Sequence, residues 1–232
     1  MKEYRLIDFH SHIIPTIDHG STSLEISLKQ VEFALNANVS HIVATPHFYP
    51  DKHDVDTFIQ ERNTAFAQFT EALNASGLNI DIRLGAEVLL CPGLERLPRL
   101  PEFCISGTKC ILIELPFLDL DFQVEFFTTV ENIIQMGYTV VLAHVDRYPY
   151  KYIDELVAIG AELQVNASAL TGLIKHREIY NWIKNGYVVA LGSDIHMLDK
   201  SAYRSLAKCE RKLKSNFGKI MEKSYRLIND MV

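Results

Sequence analysis

The sequence predicts an α/β barrel, and three observations lead there. Short β-like runs alternate with amphipathic segments along the chain. Nearly every histidine and acid of metal-ligating type lies at the C-terminal end of such a run or just beyond it. The length, 232 residues, suits one barrel domain. Strict alternation argues a parallel sheet with helices outside, and in a barrel the C-terminal strand ends share one face. No linker, low-complexity tract or repeat interrupts the pattern, so residues 1–232 read as one domain.

The elements follow in order. Tyr4–His10 is an apolar run ending in His10-Ser11-His12. Leu24–Ala37 has helical spacing, with Leu24, Leu28, Val31 and Leu35 on one face and Ser21 or Ser23 as N-cap. His41–Thr45 is a strand with His47 just past it. Asp54–Ser76 is a long helix with Phe58, Phe66, Phe69 and Leu73 on its buried side. Leu78–Glu87 is a strand in which Gly85 permits close backbone approach. Cys91–Phe103, rich in Pro and Leu, is an irregular excursion with at most a short helix. Then come strand Lys109–Leu115, helix Phe122–Gln135, strand Thr139–His144, helix Ile153–Ile159, strand Leu163–Ala167, a helix around Glu178–Lys184 and strand Val188–Ser193. Two closing helices span Tyr203–Val232, with Gly218 as the expected break. That makes about seven β–α units.

Bulk properties exclude several classes. A net charge of −6 and a pI of about 5.8 leave no basic field to hold nucleic acid. No signal-peptide core and no apolar stretch of membrane-spanning length is present, so the chain reads as soluble and cytoplasmic. Cys91, Cys104, Cys110 and Cys209 form no CxxC pair and read as free, mostly buried thiols.

His10 and His12 are two apart, so on a strand both imidazoles point one way and can reach one ion. Asp194 and His196 repeat that spacing on the last strand, beside the first if the barrel closes. Either pair alone could be ordinary polar residues at a strand end; four on adjoining strands make that unattractive. Glu87 and Glu114 each end an apolar run, where an unpaired carboxylate costs several kcal/mol. A basic side chain could answer that cost, and a carboxylate could equally bridge two cations. His144 and His47 could each be a satisfied core histidine. His41, His53 and His176 lie away from the strand C-termini and read as surface residues.

With His19, nine candidate ligands are more than one ion uses: His10, His12, His19, His47, Glu87, Glu114, His144, Asp194 and His196. The count suits two or three divalent ions, and the His–carboxylate mixture suits Mn, Fe or Zn over Mg or Ca. Such a centre attracts a phosphate dianion and lowers the pKa of bound water toward neutrality, giving a hydroxide nucleophile. Hydrolysis of a phosphate ester is the expected reaction.

Ile7-Asp8-Phe9-His10-Ser11-His12-Ile13-Ile14-Pro15, Ala44-Thr45-Pro46-His47, Gly85-Ala86-Glu87, Ile111-Leu112-Ile113-Glu114, Ala143-His144-Val145-Asp146-Arg147 and Ser193-Asp194-Ile195-His196 together resemble the PHP (polymerase and histidinol phosphatase) superfamily. Within it, the chain is most similar to the bacterial capsular-polysaccharide tyrosine phosphatase branch, the CpsB/CapC type. The resemblance implies a distorted TIM-like (β/α)7 barrel holding three metals, often Mn. It places His10, His12, Glu87 and Asp194 at one ion, Glu87, Glu114 and His144 at a second, and His19, His47 and His196 at a third. It implies Arg147 as a clamp on the substrate phosphate, a bidentate job that suits a guanidinium.

Two departures stand out. The branch usually carries Asp where this chain has His19, which makes a softer third site favouring Zn or Fe; Asp18 is the alternative ligand. The branch also carries an arginine where this chain has Ser201, a gap that Lys200 or Arg204 could fill.

The resemblance implies a metal-dependent protein-tyrosine phosphatase whose catalytic group includes Arg147, His144 and Asp194. Its partner would be the phosphorylated tail of a capsule or exopolysaccharide tyrosine kinase, met by a chain that could be a homo-oligomer. Phe48 and Tyr49 could flank the phenyl ring or be ordinary loop packing. No CxxxxxR phosphatase loop is present. The alternatives are another phosphomonoesterase of the superfamily, such as a histidinol-phosphate phosphatase, and a non-catalytic metal-binding regulator.

Overall fold

The computed structural model describes residues 5–116, 124–172 and 177–229. Two parallel sheets form the inner layer. The first has the order β1 (Leu6–Ser11), β2 (Val39–Ala44), β4 (Asp81–Leu84). The second runs β3 (His47–Phe48), β5 (Glu87–Leu89), β6 (Cys110–Glu114), β7 (Thr139–Leu142), β8 (Glu162–Asn166), β9 (Val188–Gly192).

The sheets are two only because two strands are broken. Pro46 has no N–H to give to a ladder, and β2 stops just before it and resumes as β3. Beside it, β4 breaks at Gly85–Ala86 and resumes as β5. Gly85 N still donates to Ala44 O (2.9 Å) and Glu87 N to Pro46 O (3.0 Å), so hydrogen bonding carries across. At the other seam Asp194 N donates to His10 O (2.9 Å) and His12 N to Ile195 O (3.0 Å), around a parallel bridge between Ser11 and Ile195. Counting each broken strand once, seven strand positions run in chain order among the described residues, and the last meets the first.

The helices are α1 (Leu24–Asn36), α2 (Val55–Ser76), α3 (Val124–Gln135), α4 (Tyr150–Ala158), α5 (Ala167–Thr171), α6 (Arg177–Asn185), α7 (Lys200–Leu213) and α8 (Ser215–Asn229). Ser23 caps α1, its hydroxyl accepting from Ile26 N. The buried face of α1 is Ser27, Gln30, Val31 and Ala34; Leu28 and Leu35 are half-buried and Leu24 is exposed, so the expected leucine face is rotated. Asp54 caps α2, and Gly77, at φ 72°, ends it. Phe58, Phe69 and Leu73 are buried as expected, each worth about 1.5–3 kcal/mol, while Phe66 is only half-buried. Arg62 is buried among them and donates to Gly85 O (3.2 Å) and Glu102 O (2.9 Å), tying α2 to the strand break.

Several expectations need correcting. The closing helices break at Lys214, at φ 53°, and Gly218 lies inside α8 on its buried face. Gly85 needs no special freedom, since a Cβ there would meet only ordinary contacts with Ile105. The excursion after Cys91 holds two 3-10 turns, Leu94–Arg96 and Leu100–Phe103. His41 is buried, with Nδ1 2.9 Å from Ser40 Oγ and its ring edge-on to Tyr225. His53 is half-buried and accepts from Tyr49 N through Nδ1 (3.1 Å). His176 lies outside the described residues. Among the described residues, no helix is long and apolar enough to cross a membrane.

Candidate metal centre

The C-terminal ends of β1, β6, β7 and β9, together with the strand breaks at which His47 opens β3 and Glu87 opens β5, bring eight of the nine candidate ligands into contact, with the ninth, His19, at the rim. His10 lies on β1 and His12 follows it; both are fully buried. Their Nε2 atoms lie 3.1 Å apart. Both face Glu87 Oε2, at 3.1 and 3.3 Å, and Asp194 Oδ1, at 3.7 and 3.5 Å. His47 Nδ1 is 2.9 Å from Glu87 Oε2 and 3.7 Å from Glu114 Oε2. His144 Nε2 is 2.8 Å from Glu87 Oε1 and 3.5 Å from Glu114 Oε1. His196 Nε2 is 3.4 Å from His47 Nε2. The ring of His19 stacks 4.7 Å from that of His47 and 4.5 Å from that of His196.

Local backbone aims these groups. His144 (φ 31°) and Asp194 (φ 52°) both sit in the left-handed region, turning the chain sharply where β7 and β9 end. Gly192 allows the last strand to close on the first: a Cβ there would lie 2.6 Å from Gln164 Nε2 and 2.7 Å from His10 Cβ.

A layer of polar groups behind the ligands fixes their tautomers. Gln164 on β8 accepts at Oε1 from His144 N (2.6 Å), and a backbone N–H can only donate. The same oxygen lies 3.1 Å from His10 Nδ1, so His10 carries its proton on Nδ1 and turns the Nε2 lone pair to the centre. Asp18 does the same for His12, with Oδ2 2.7 Å from His12 Nδ1. Asp18 also accepts from His47 N (3.0 Å) and Gly20 N (2.8 Å). Its carboxylate is thereby occupied in orienting His12, which argues against Asp18 as the third-site ligand. His196 Nδ1 lies 3.0 Å from Asp194 O, leaving its Nε2 for the centre. Asn166 donates from Nδ2 to Asp194 Oδ2 (3.0 Å) and accepts from Gln164 Nε2 (3.0 Å).

The charge states suit a cation site. Burial pushes the Glu87 carboxyl up, but His10, His12 and His144 outweigh it and hold it well below its ordinary value. Asp194 is likewise held far down by His10, His12 and Arg147 against the effect of burial. Burial pulls His196 down to about 4, with His12 adding to it, and also lowers His19. Burial opposes charge on His12 and His144 too, yet the acids win: Asp18, Asp194 and Glu87 raise His12 well above its ordinary value, and Glu114 and Glu87 take His144 to about 9. The carboxylates demand positive charge, and protons on these imidazoles would compete with metal for the same place.

Geometry passes the same test. Glu87 Oε2 and His47 Nδ1 are buried and close, yet neither has an aligned hydrogen-bond partner among the described residues. Lone pairs facing a shared space are what an ion there would use. Three groups have ligand atoms mutually within 4.8 Å: His10, His12 and Asp194; His47, Glu87 and Glu114; and His12, His47 and His196. The first and second overlap the expected sets, with His144 beside the second. In the third, His12 stands where His19 was expected. His, Asp and Glu donors of this kind fit a transition metal.

Over the centre lies a cavity of about 420 Å³. It is lined by the candidate ligands His19, His47, Glu114, Asp194 and His196, by Arg147, and by the largely apolar Tyr49, Leu89 and Pro116. Arg147 makes an ion pair with Asp194 Oδ2, so it stands where it can meet a bound anion. Tyr49 stacks 5.3 Å from the His47 ring. Phe48 does not reach the cavity: it is fully buried against Phe58 and Phe103, so its expected role against a substrate ring is withdrawn. Lys200 and Arg204 are corrected as well. They line a separate groove between α1 and α7, with Lys200 Nζ 4.9 Å above the Phe33 ring, and do not fill the place of the absent arginine at Ser201.

Sequence reading passed over Gln164, Asn166, Leu89 and Pro116. Gln164-x-Asn166 at the end of an apolar strand was the available signal, because two buried amides on one strand face need partners.

Comparison with known proteins gives the family and the fold. The family model for capsular polysaccharide synthesis, CpsB/CapC, matches residues 6–231. The tyrosine-protein phosphatase CpsB of Streptococcus pneumoniae is 27% identical over 228 residues, covering 88% of this chain and 90% of that protein. The tyrosine-protein phosphatase YwqE of Bacillus subtilis is 28% identical over 179 residues, covering 72% and 67%. Among solved structures, YwqE of Bacillus subtilis and CpsB of Streptococcus pneumoniae, described as metal-dependent tyrosine phosphatases, give a TM-score of 0.81 at 21% identity, covering 97% of this chain and 95% of the other. A histidinol phosphate phosphatase from Lactococcus lactis, solved with Zn, L-histidinol and phosphate, gives 0.52 at 16% identity, covering 88% and 93%, and shares the fold.

Proposed function

The chain belongs to the CpsB/CapC family of capsular polysaccharide synthesis, and from that premise we propose that it is a metal-dependent protein-tyrosine phosphatase. The observation that carries this reading is the cavity itself, whose lining combines metal-ligand side chains with the largely apolar Tyr49, Leu89 and Pro116. The ligands suit a phosphate dianion and the apolar side chains suit a phenyl ring.

We assign His10, His12, His19, His47, Glu87, Glu114, His144, Asp194 and His196 as the residues that hold two or three divalent ions, Mn first and Fe or Zn next. Bound ions would lower the pKa of water and neutralise the phosphate, and the chain's own residues do the rest. Glu87 and Asp194, held ionised, keep the ions in place. Gln164 and Asp18 hold His10 and His12 in the ligating tautomer. Arg147, swung from Asp194 onto the substrate, donates a fork of N–H groups to the phosphate oxygens. The apolar side chains align the tyrosine ring and keep water from the leaving oxygen. A bacterial tyrosine kinase tail is the expected substrate, in a cytoplasmic setting.

Phosphate release from a phosphotyrosine peptide by metal-stripped protein, with and without added Mn, tests this. Turnover restored by metal is expected. Binding without any phosphate release would favour a metal-binding regulator, and faster turnover of histidinol phosphate would favour the other phosphomonoesterase reading.

A further inference from the structure

A second concave surface lies outside the metal cavity. The groove between α1 and α7 encloses about 560 Å³ and carries Lys200, Arg204 and Lys208, opposed by one acid, Glu32. The three cations are spaced four apart on α7, which stacks them along one helix face. No acid lies within ion-pair distance of any of them among the described residues. In a chain of net charge −6, this is a local field of the opposite sign.

The groove is joined to the metal cavity by a short lip. His196 lines the cavity and Lys200 starts the groove, so at most about 14 Å of chain separates them. Between them Met197 is 70% exposed and Leu198 42%. Gln30 on α1 donates to Met197 O (3.3 Å), and one helical turn further on, Phe33 carries Lys200 over its ring. Lip and groove therefore follow one another along α1, and the lip starts at His196, which lines the cavity.

We propose that the substrate polypeptide runs from the cavity across Met197 and Leu198 into this groove, and that the groove takes an acidic segment of that chain. The proposal rests on the phosphotyrosine reading of the cavity. An extended chain covers the lip in about four residues, and the Lys200–Lys208 face, about 12 Å long, takes about four more. Acids roughly four to eight residues from the phosphotyrosine are the ones recognised. Charge complementarity selects this occupant, and the lip adds apolar contact.

The test uses the full chain loaded with Mn and fluorescent peptides bearing a non-hydrolysable phosphonate in place of phosphotyrosine. In one peptide the acids lie on the N-terminal side, in one on the C-terminal side, and in a third they are replaced by amides. Anisotropy gives affinity for the wild type and for the double variant Arg204→Glu, Lys208→Glu, whose folding is checked by its melting temperature. At least a tenfold loss of affinity is expected for one acidic peptide in the variant, with the amide peptide binding both proteins equally. The wild-type preference should fade as salt rises, and p-nitrophenyl phosphate turnover should stay within twofold. Equal wild-type affinity for acidic and amide peptides, or no effect of the charge reversal, overturns the proposal. So does binding to anionic phosphatidylglycerol vesicles, abolished by the same substitutions, with no peptide preference. Failure of the phosphatase reading is distinct, since it shows as no metal-dependent phosphate release from any substrate while anisotropy still decides the groove.

Discussion

Asp8 and Asp194 are both buried carboxylates at the seam where the first and last strands meet, and they are held in opposite states. Asp8 accepts from Ser193 N (2.7 Å) and Ser193 Oγ (2.6 Å), and burial pushes its carboxyl up to about 6. Burial pushes Asp194 up too, although it lines the cavity and is less enclosed than Asp8, yet His10, His12 and Arg147 drive it far below the carboxylate range. Burial is common to both, so it cannot mark the functional group; the partners do. Hydroxyl and backbone donors leave Asp8 tolerant of a proton, as a structural clasp should be. Imidazoles and a guanidinium keep Asp194 charged, as a ligand should be.

Removing the charged member breaks the comparison most severely. Asp194→Ala, or His144→Ala just past β7, should cut metal-dependent phosphate release on the order of 10³-fold. The far-ultraviolet circular dichroism should be unchanged. Full activity in either variant would sink the ligand assignment.

A smaller effect is expected one layer back. Gln164→Leu removes the oxygen that fixes His10 and should lower metal affinity about 10–100-fold in competition with a chelating dye. Gln164→Glu keeps an acceptor for both His10 Nδ1 and His144 N and should recover part of that loss. Equal affinity in all three proteins would mean that the tautomer is set elsewhere. Smaller again is Arg147→Lys, which keeps the charge and loses the fork; KM for a phosphotyrosine peptide should rise about tenfold with little change in kcat.

What was legible in the sequence follows the same division. Residues that must be His, Asp or Glu at strand ends announce themselves by type and spacing, which is why His10-x-His12 and Asp194-x-His196 are legible in the sequence. The seven strand positions were visible because buried parallel strands read as apolar runs. Residues defined by three-dimensional partners were not visible. Gln164 is an ordinary amide until β8 is laid between His10 and His144. Phe48 and Tyr49 are adjacent aromatics, and only the pleat decides that one enters the core and the other the cavity. Lys200 and Arg204 flank Ser201, where the resembled branch carries an arginine, but only the packing of α7 against α1 shows that they line a separate groove. A glycine late in the chain reads as a helix stop, whereas Gly218 lies on the buried face of α8.

Asp8→Asn separates the clasp from the ligand most finely. The folded Asp8 carboxyl sits near 6 against an ordinary value of 3.8, so its contribution is fully present below the lower value and is lost as pH rises through the upper one. A shift of about two units corresponds to about 3 kcal/mol. Asparagine stays neutral throughout and keeps an acceptor for Ser193 N, with its amide facing Ser193 Oγ. In metal-stripped protein the melting temperature of the variant relative to wild type should therefore climb between pH 4 and pH 7, by something on the order of 5 °C. Metal affinity should change less than twofold, because Asp8 faces the seam and is outside the ligand groups. A variant that tracks wild type at both pH values, or that loses metal as Asp194→Ala does, would place Asp8 with the ligands and dissolve the contrast between the two carboxylates.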